Sequence, residues 1–350
     1  IMTKINNVRN VVILRTDRIG EVLLSTVAVD DIKKQYPDSK VSFVTSAYSR
    51  SLLDNREDLE NVWEADTSGR KNMLLEAGRL AATLRPVKFD TAIVLNPHKM
   101  LHLACFFAGI PNRVGYDRKW GFLLNRKIKD LRDEGSKHET EYTRDLLRSV
   151  GIIPGTDGPS LTTGISAEKS LTNKLIADDI LEKDKIIIVQ PGSSNPAKRW
   201  PKDKYKELIK RINDELGIKS IVLGDKEEQQ LVRSIMSGRE KMAVSFAGKL
   251  DLKEVAALLK RSILFVGNDN GPMHMAAALG VPVIAIFGRN IPGVSPVRWR
   301  PWGKGHVVFH EDTGCEVCKD AACPYEYKCL DAVTVDAVFE VVKKMVNERV

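Results

Sequence analysis

Residues 263–287 read ILFVGNDNGPMHMAAALGVPVIAIF and carry the clearest signal of fold class. Two short apolar runs, residues 263–266 and 283–287, flank a helical segment from about residue 272 to residue 279. A strand, a helix and a second strand at this spacing form a βαβ unit, whose two strands are parallel neighbours in one sheet. The stretch therefore predicts an α/β protein with a parallel sheet.

The same alternation of strand and helix runs through both halves of the chain. The first half opens with NVVILR at residues 10–15, and the second half restarts with KIIIVQ at residues 185–190. Between them, residues 151–165 (GIIPGTDGPSLTTGI) have the composition of a linker. We predict two Rossmann-like α/β domains, residues 1–160 and 161–350, that face each other across a cleft. The last predicted helix, from about residue 333 to residue 347, is a candidate for packing back on the first domain.

The composition excludes several classes of protein. The 350 residues are 43% hydrophobic and 29% charged, which suits two buried cores and excludes a disordered chain. There is no run of about 18 apolar residues and no signal-peptide core, so we expect neither a membrane span nor secretion. A nicotinamide dehydrogenase is disfavoured because G-x-G-x-x-G is absent, and a nucleic-acid-binding protein because no such module is recognisable.

The excess of basic residues predicts an anionic partner. Lysine and arginine number 54 against 46 acidic residues, which gives a net charge of +8. Residues 113–129 concentrate this charge, with aromatic side chains at Tyr116, Trp120 and Phe122 between the basic residues. Such a stretch is either a solvated surface or a docking patch for an anionic acceptor or for lipid headgroups, and the sequence leaves both open.

Ligands of open α/β sheets bind beyond the carboxyl ends of the strands, so the loops that follow strands are the candidate sites. The first loop, RTDRIGE at residues 15–21, places two acids and two arginines ahead of a helix predicted over residues 21–36. Gly20 permits the sharp turn into this helix. Glu21 is either an acid that complements the helix dipole or a general base, and the residue pattern alone favours the dipole role.

Two further loops have the composition of phosphate-binding sites. Residues 190–201 (QPGSSNPAKRWP) supply hydroxyls, backbone N–H groups and a Lys-Arg pair, without the P-loop pattern. Residues 267–274 (GNDNGPMH) lead into a helix with Pro272 near its start, where free N–H groups and the helix dipole favour a diphosphate. Asp225 and Glu227 follow another strand and suit ribose hydroxyls, although Asp225 equally suits a helix cap.

Four cysteines lie close together near the end of the chain. Cys315, Cys318, Cys323 and Cys329 form a C-x2-C-x4-C-x5-C pattern, whereas Cys105 lies alone in an apolar helix and is expected in the core. In a chain without a signal peptide, a structural zinc held by four thiolates is a better interpretation than disulfides. Disulfides and free thiols stay open, and no metal is expected in catalysis.

Taken together, the three loops resemble those of the heptosyltransferases, glycosyltransferase family 9. The family's R-x-D-R-I-G-D-V-like segment corresponds to residues 15–22, and its PG-[ST] segment with K-x-W-P corresponds to residues 191–201. Its most specific segment, D-T-G-x-x-H-x-A-A-A-L-G-x-P, corresponds to residues 269–282. The resemblance covers nearly the whole chain, and a cysteine cluster near the end also resembles one in many members.

The resemblance implies a GT-B fold, with the acceptor held by the first domain and the nucleotide sugar by the second. It implies an inverting transfer of L-glycero-D-manno-heptose from its ADP derivative to the inner core of lipopolysaccharide, with no metal or other cofactor required. The implied partners are ADP-heptose and a lipid A–core glycolipid, but no nucleic acid. The implied location is cytoplasmic, in peripheral contact with the cytoplasmic face of the inner membrane.

The resemblance also assigns roles to single residues. Glu21 takes the place of the family's catalytic aspartate, and Lys198 would neutralise the leaving diphosphate. The implied donor-binding residues, besides Lys198, are Ser193, Ser194, Asp225, Glu227, Asp269, Asn270, Gly271 and His274. The implied acceptor-binding residues are Asp17, Arg18, Lys99 and Arg113, with the basic stretch that follows.

Two residues depart from the family pattern. Glu21 replaces the usual aspartate and extends the carboxylate by one methylene, and Asn270 replaces the usual threonine. Both changes bear on the substrates, because small displacements of a reacting group change rates by orders of magnitude. A related transferase with another nucleotide sugar, and a non-catalytic nucleotide-sugar-binding protein, are therefore the alternatives.

Overall fold

Two parallel sheets of six strands each form the framework of the described structure. This computed structural model describes residue 5 and residues 8–69, 72–315 and 318–348. The chain divides into two units, Ile1–Ser160 and Leu161–Val350, and each unit contains one of the sheets. The prediction of two Rossmann-like α/β domains is confirmed.

The strands of the first unit are β1 (Asn10–Leu14), β2 (Lys40–Thr45), β3 (Asn61–Glu64), β4 (Thr91–Val94), β5 (Asn112–Tyr116) and β6 (Arg126–Ile128). Its helices are α1 (Ile19–Leu24), α2 (Val27–Gln35), α3 (Met73–Leu84), α4 (Lys99–Phe107) and α5 (Glu139–Ser149). The central strand β4 is buried along its whole length, because helices cover both faces of a parallel sheet.

The strands of the second unit are β7 (Ile187–Gln190), β8 (Ser220–Val222), β9 (Ala243–Ser245), β10 (Leu264–Asn268), β11 (Val283–Phe287) and β12 (Val307–His310). Its helices are α6 (Ile165–Ala177), α7 (Lys202–Leu216), α8 (Gln229–Met236), α9 (Leu252–Arg261), α10 (Gly271–Ala278), α11 (Pro296–Trp299), α12 (Lys328–Asp331) and α13 (Val335–Asn347). As in the first unit, the central strands β7, β10 and β11 are fully buried.

Both sheets have the same strand order. The order is β3-β2-β1-β4-β5-β6 in the first unit and β9-β8-β7-β10-β11-β12 in the second, which is 3-2-1-4-5-6 in each. In this doubly wound arrangement the direction of winding reverses between the first and fourth strands, and ligands bind beyond the carboxyl ends at that reversal. The loops after β1 and β4, and those after β7 and β10, are therefore the positions that the fold offers to ligands.

The helix predicted over residues 21–36 is two helices, α1 and α2, so the prediction of one continuous helix was wrong. The break lies at Ser25 and Thr26, whose hydroxyls donate to the carbonyl oxygens of Glu21 (2.7 Å) and Leu23 (2.8 Å). Hydroxyl groups that bond back to the preceding turn bend a helix. The short α1 is therefore a separate element that carries Glu21 next to the end of β1.

The last helix belongs to the core of the second unit. α13 contributes Val338, Phe339 and Val342 to an apolar cluster that also contains Ile209 of α7. Packing of this helix back on the first domain stays a prediction. Across residues 8–69, 72–315 and 318–348, no helix has both the length and the apolarity needed to cross a bilayer.

Candidate active site

A buried arginine organises the loop that follows β1. The side chain of Arg15 is 2% exposed, and its Nε lies 3.2 Å from Oδ2 of Asp17. Its Nη1 lies 3.0 Å from Oε1 of Glu139 at the start of α5 and donates to the carbonyl oxygen of Leu95 after β4 (3.3 Å). These contacts tie the loop to two neighbouring elements. The carboxyl group of Asp17, a predicted acceptor ligand, therefore also has a structural role.

Glu21 lies in the first turn of α1 with its side chain partly buried. Burial raises the pKa of its carboxyl group above the ordinary value, and the positive charge of Arg15 opposes this rise. Arg18, the exposed N-cap residue of α1, is a weaker opposing charge. A carboxylate with a raised pKa is a better proton acceptor near neutral pH than an ordinary glutamate, so the environment suits a general base.

A cavity of about 290 Å³ lies in the first unit beyond the ends of β3 and β4. Its lining includes Lys99 and Lys119, and the structure shows no ion pair for either lysine among the residues it describes. His98, the N-cap residue of α4, also lines the cavity. Burial and the nearby charge of Lys119 lower the pKa of His98, so its ring is neutral at pH 7. The cavity is therefore lined by two lysines, Lys99 and Lys119, and by two acids, Asp66 and Glu76.

Arg113 is not at the same edge as Glu21. It is the second residue of β5 and pairs in register with Ala92 near the start of β4, whereas Glu21 follows the end of β1. Its Nε donates to the carbonyl oxygen of Leu123 (2.8 Å), and its Nη1 to that of Ile110 (2.6 Å). The structure thus does not place Arg113 at the strand edge where Glu21 lies, and Arg113 is not among the residues that line the cavity.

In the second unit, three basic side chains converge on Asp269, which follows β10. Asp269 is 4% exposed, and its Oδ2 lies 2.6 Å from Nζ of Lys198 and 3.2 Å from Nη2 of Arg289. Nε2 of His274 lies 4.0 Å from Oδ1 of Asp269. Lys198, Asp269 and His274, which the sequence analysis named, are therefore neighbours in space.

The loop that carries Lys198 is held by its packing against two neighbouring strands. A 3-10 turn at Pro196–Lys198 begins at Asn195, whose Oδ1 accepts from the backbone N–H of Ala197 (2.9 Å). The backbone of Gly288, after β11, lies so close that a β-carbon there would collide with the carbonyl oxygen of Ala197. Asn268, at the end of β10, accepts from the backbone N–H of Trp200 through Oδ1 (3.0 Å).

Asn270 forms the N-cap of α10. Its Oδ1 accepts from the backbone N–H of Met273 (3.0 Å), and its Nδ2 donates to the carbonyl oxygen of Gly192 (3.1 Å). Both ends of the side-chain amide are therefore used within the protein. A donor contact at Asn270 or Gly271 is consequently expected from backbone N–H groups, which the first turn of a helix leaves available to an anion.

Glu228 is a candidate that the sequence analysis missed. Its Oε2 accepts from Nε2 of Gln190 at the end of β7 (3.2 Å) and from the backbone N–H of Asp225 (3.1 Å). Burial raises the pKa of Glu228, and the hydrogen bond from Asp225 opposes the rise. Asp225 is exposed and accepts from the backbone N–H of Glu228 (2.9 Å), and Glu227 is exposed. Of the three acids in this loop, Glu228 is the one that contacts the end of β7.

Arg289 was also missed, although a basic residue two positions after the end of an apolar strand, β11, is a signal that the sequence contains. Its side chain is 7% exposed, and its φ of 67° is in the left-handed region, which is uncommon for a residue other than glycine. Its Nη1 lies 3.6 Å from Oδ1 of Asp320. Strained backbone and a buried charge together are typical of functional positions.

The two serines after β7 differ in exposure. Ser193 is buried, and its carbonyl oxygen accepts from Nε of Arg199 (2.7 Å), whereas Ser194 is exposed. The hydroxyl of Ser194 is therefore the more accessible to a ligand in this structure.

The cysteine cluster does not form a metal site within residues 8–69, 72–315 and 318–348. Cys315, Cys318, Cys323 and Cys329 are partly buried and are free thiols, and Cys105 is buried as expected. No group of three or more His, Cys, Asp or Glu side chains in the described ranges is placed to hold a metal ion. The structural zinc at these four cysteines stays a prediction.

The chain is similar to known proteins over most of its length. A family model described as glycosyltransferase family 9 (heptosyltransferase) matches residues 77–328. Lipopolysaccharide heptosyltransferase 2 of Salmonella typhimurium is 25% identical over 344 residues, which cover 94% of this chain and 96% of that protein. Lipopolysaccharide heptosyltransferase 3 of Escherichia coli is 26% identical over 303 residues, 83% of this chain and 84% of that protein.

Solved structures of similar proteins have the same fold. A family 9 glycosyl transferase from Veillonella parvula covers 99% of both chains with a TM-score of 0.88 at 20% identity. ADP-heptose LPS heptosyltransferase II of Escherichia coli covers 97% of this chain and 99% of its own, with a TM-score of 0.80 at 24% identity. These likenesses show that the fold of the two units is that of these glycosyltransferases.

Proposed function

The chain belongs to glycosyltransferase family 9, and from this membership we propose that it moves heptose from ADP-heptose to the inner core of lipopolysaccharide. One observation carries the proposal: two cationic side chains, Lys198 and Arg289, meet at Asp269 beside the amino terminus of α10. This arrangement suits a diphosphate, because cations and backbone N–H groups both stabilise phosphate oxygens.

The donor is proposed to bind in the second unit. Lys198, the hydroxyl of Ser194 and the N–H groups at the start of α10 hold the diphosphate, and Asp269 and His274 contact the donor. Glu228 accepts hydrogen bonds from the ribose hydroxyls, as acids do in other nucleotide-binding folds. Its half-buried position beside the end of β7 supports this role over Asp225 or Glu227.

The acceptor is proposed to bind in the first unit. Its anionic groups are held by Arg18, Lys99 and Lys119, the last two of which line the cavity. These cations are available to the phosphate and carboxylate groups of an acidic glycan, because the structure shows no ion pair of Lys99 or Lys119 among the residues it describes.

The reaction is proposed to proceed with inversion. The acceptor hydroxyl oxygen attacks C1 of the heptose, the bond from C1 to the phosphate oxygen breaks, and ADP leaves from the opposite face. Glu21 takes the proton of the hydroxyl, for which its raised pKa is suited. Lys198 and Arg289 balance the negative charge that develops on the diphosphate, so no metal ion or other cofactor is needed.

The lipid anchor of such an acceptor sets the proposed location. Inner-core glycolipid is held in a bilayer, so the enzyme is proposed to act in peripheral contact with the cytoplasmic face of the inner membrane. The positive net charge of the chain favours this contact, because the lipids of that surface are partly anionic.

The test is a calorimetric titration of the protein with ADP, UDP and GDP in the presence of EDTA. The proposal expects binding of ADP in preference to UDP and GDP without a divalent metal ion, followed by transfer from ADP-heptose. Preferential binding of UDP or GDP would mean that the donor is another nucleotide sugar. The two departures from the family pattern, Glu21 and Asn270, are the reason for this alternative. If well-folded protein binds none of the three nucleotides, the proposed function is wrong.

A further inference from the structure

An exposed aromatic surface lies along α4 in the first unit. Phe106 is 48% exposed, Phe107 is 44% exposed and Phe122 is 72% exposed, values that are unusual for phenylalanine. We propose that this surface docks the enzyme on a bilayer with anionic headgroups, an inference that rests on the lipid-linked acceptor of the proposed function. The α4 aromatic surface is defined by Phe106, Phe107, Trp120, Phe122, Lys99 and Arg113.

The residues of the α4 aromatic surface are linked by direct contacts. The rings of Phe106 and Phe107 are 6.2 Å apart, and those of Trp120 and Phe122 are 6.1 Å apart. Arg113 joins the two pairs, because its guanidinium lies 5.4 Å from the ring of Phe106 and its Nε donates to the carbonyl oxygen next to Phe122, that of Leu123. Arg113 therefore ties the rings of Phe106 and Phe107 on α4 to the loop that carries Trp120 and Phe122, and Trp120 is partly buried against the core of the unit.

Positive charges border this aromatic surface. Nζ of Lys99 lies 5.4 Å from the ring of Trp120, and Lys119 immediately precedes Trp120 in the chain. The nearby acid Asp117 is already paired with Lys127 at 3.0 Å. The charges of Lys99, Arg113 and Lys119 are not matched by a carboxylate in the described part of the chain. The border of the surface therefore carries three cations for which the described residues show no ion pair, with Asp66 and Glu76 as the acids that line the same cavity as the two lysines.

The combination of aromatic and basic side chains fits a lipid surface better than plain solvent. Aromatic rings insert at the level of the headgroups, and basic side chains attract anionic lipids within about 10 Å, the screening length in 0.1 M salt. A contiguous exposed apolar surface on a protein is a marker of an interaction site. The stretch of residues 113–129, for which the sequence left two alternatives, thus contributes to docking through Arg113, Lys119, Trp120 and Phe122.

The position of the surface also suits the proposed acceptor. Lys99 and Lys119 line the cavity as well as bordering the surface. A glycan whose lipid anchor remains in the bilayer would therefore meet the cavity at the edge of the docked face. This continuity between the two features is the reason to choose a bilayer over a soluble anionic partner.

The test is co-sedimentation of the full chain with vesicles of phosphatidylethanolamine and phosphatidylglycerol, compared with vesicles of phosphatidylcholine alone. The variant replaces two exposed rings, Phe107→Ser with Phe122→Ser. The matched control is Ile153→Ser, since Ile153 is 77% exposed and its backbone N–H donates to Gln35 of α2, which is not part of the α4 aromatic surface. We expect the wild-type protein and the control to bind the anionic vesicles, and the double variant to bind them about tenfold more weakly. Raising the salt concentration should release the wild-type protein.

Transfer to a deacylated, water-soluble acceptor separates this inference from the proposed function. The double variant should transfer to that acceptor at the wild-type rate, because neither ring is in the catalytic machinery. Equal vesicle binding by the double variant and the control would overturn the docking surface, as would equal binding of the wild-type protein to both kinds of vesicle. If the wild-type protein binds no nucleotide, the proposed function is wrong. If its vesicle binding is nevertheless lost in the double variant, the docking surface is supported.

Discussion

The carboxyl group of Glu228 occupies the space that a β-carbon on Gly192 would fill. The proline-glycine-serine loop after β7 therefore has room for this side chain only because residue 192 is glycine. Through this contact the acid lies against the backbone of the loop that carries Lys198. A substitution at Gly192 therefore tests the nucleotide site without replacing a charged residue.

We expect Gly192→Ala to weaken nucleotide binding about tenfold while the protein stays folded. The added methyl group displaces the far end of a flexible side chain, which moves at little cost in stability, but the carboxyl group of Glu228 leaves its position. Calorimetric titration with ADP measures the effect. Gly78→Ala is the control: its β-carbon meets no atom within 4 Å and helix α3 gains stability, so ADP affinity should not change. Equal ADP affinity of all three proteins would contradict the role of Glu228.

Lys198→Met should lower the rate of transfer by about 100- to 1,000-fold, because it removes a cation from the leaving diphosphate. The fold should also be destabilised by about 1–3 kcal/mol, because the buried carboxylate of Asp269 loses a partner at 2.6 Å and keeps Arg289 at 3.2 Å. Single-turnover kinetics with saturating donor measures the effect on chemistry. Lys206→Met is the control, because Lys206 pairs with Asp203 on the same helix, α7, and is not one of the proposed donor-binding residues. A wild-type rate in Lys198→Met would remove Lys198 from the catalytic machinery.

Arg289→Asn should weaken ADP binding, whereas Arg289→Lys should retain most of the affinity. Asparagine tolerates the φ of 67° at this position, so the first substitution removes the charge without adding backbone strain. The loss of a buried partner of Asp269 should also destabilise the fold by about 1–3 kcal/mol. Titration with ADP and thermal unfolding of both variants test this. If Arg289→Asn loses stability but binds ADP as the wild type does, Arg289 has a structural role alone.

Glu21→Gln should abolish transfer and leave ADP affinity unchanged, because it removes the proton acceptor but keeps the shape of the side chain. In the wild-type protein, burial raises the pKa of Glu21, so the rate should rise with pH through a value above that of an ordinary glutamate. The pH profile of single-turnover transfer at saturating donor measures this. A variant with the wild-type rate would show that Glu21 is not the base.

The same pKa predicts an effect on stability. The folded state binds a proton at Glu21 more tightly than the unfolded state, so this group makes the protein less stable as the pH rises from the ordinary value through the raised one. Glu21→Gln removes that penalty, and the variant should unfold at a higher temperature than the wild type at pH 7. A lower unfolding temperature would contradict the burial of the charge.

The fold class was predictable because its signals are local. Each buried parallel strand is a short apolar run, such as Val283–Phe287, and each is followed by a loop and a helical pattern. The edge strand Asn61–Glu64 was not predicted, because its side chains are partly or fully exposed and it lacks an apolar run. The break between α1 and α2 was missed for a related reason, since two hydroxyl side chains interrupt a pattern whose spacing continues.

The positions of the loops that form the candidate site were predictable as well, but the contacts made by their side chains were not. The spacing along the chain placed Lys198 and Asp269 in loops after strands, which the doubly wound order brings to one edge of the sheet. The sequence did not show that the side-chain amide of Asn270 bonds to the backbone of Met273 and Gly192. Hydrogen-bond partners depend on how two loops that are distant in the chain approach each other.

By itself, the sequence determined the two α/β units, the loops after β1, β7 and β10, and the resemblance to a family of glycosyltransferases. These depend on residue types at short spacing, which the chain carries locally. Only the tertiary structure decided that Glu228, and not Asp225 or Glu227, contacts the end of β7, and that Arg289 joins Lys198 at Asp269. The reason is that the register of parallel strands brings together residues far apart in the chain, and packing then selects which side chain faces the site.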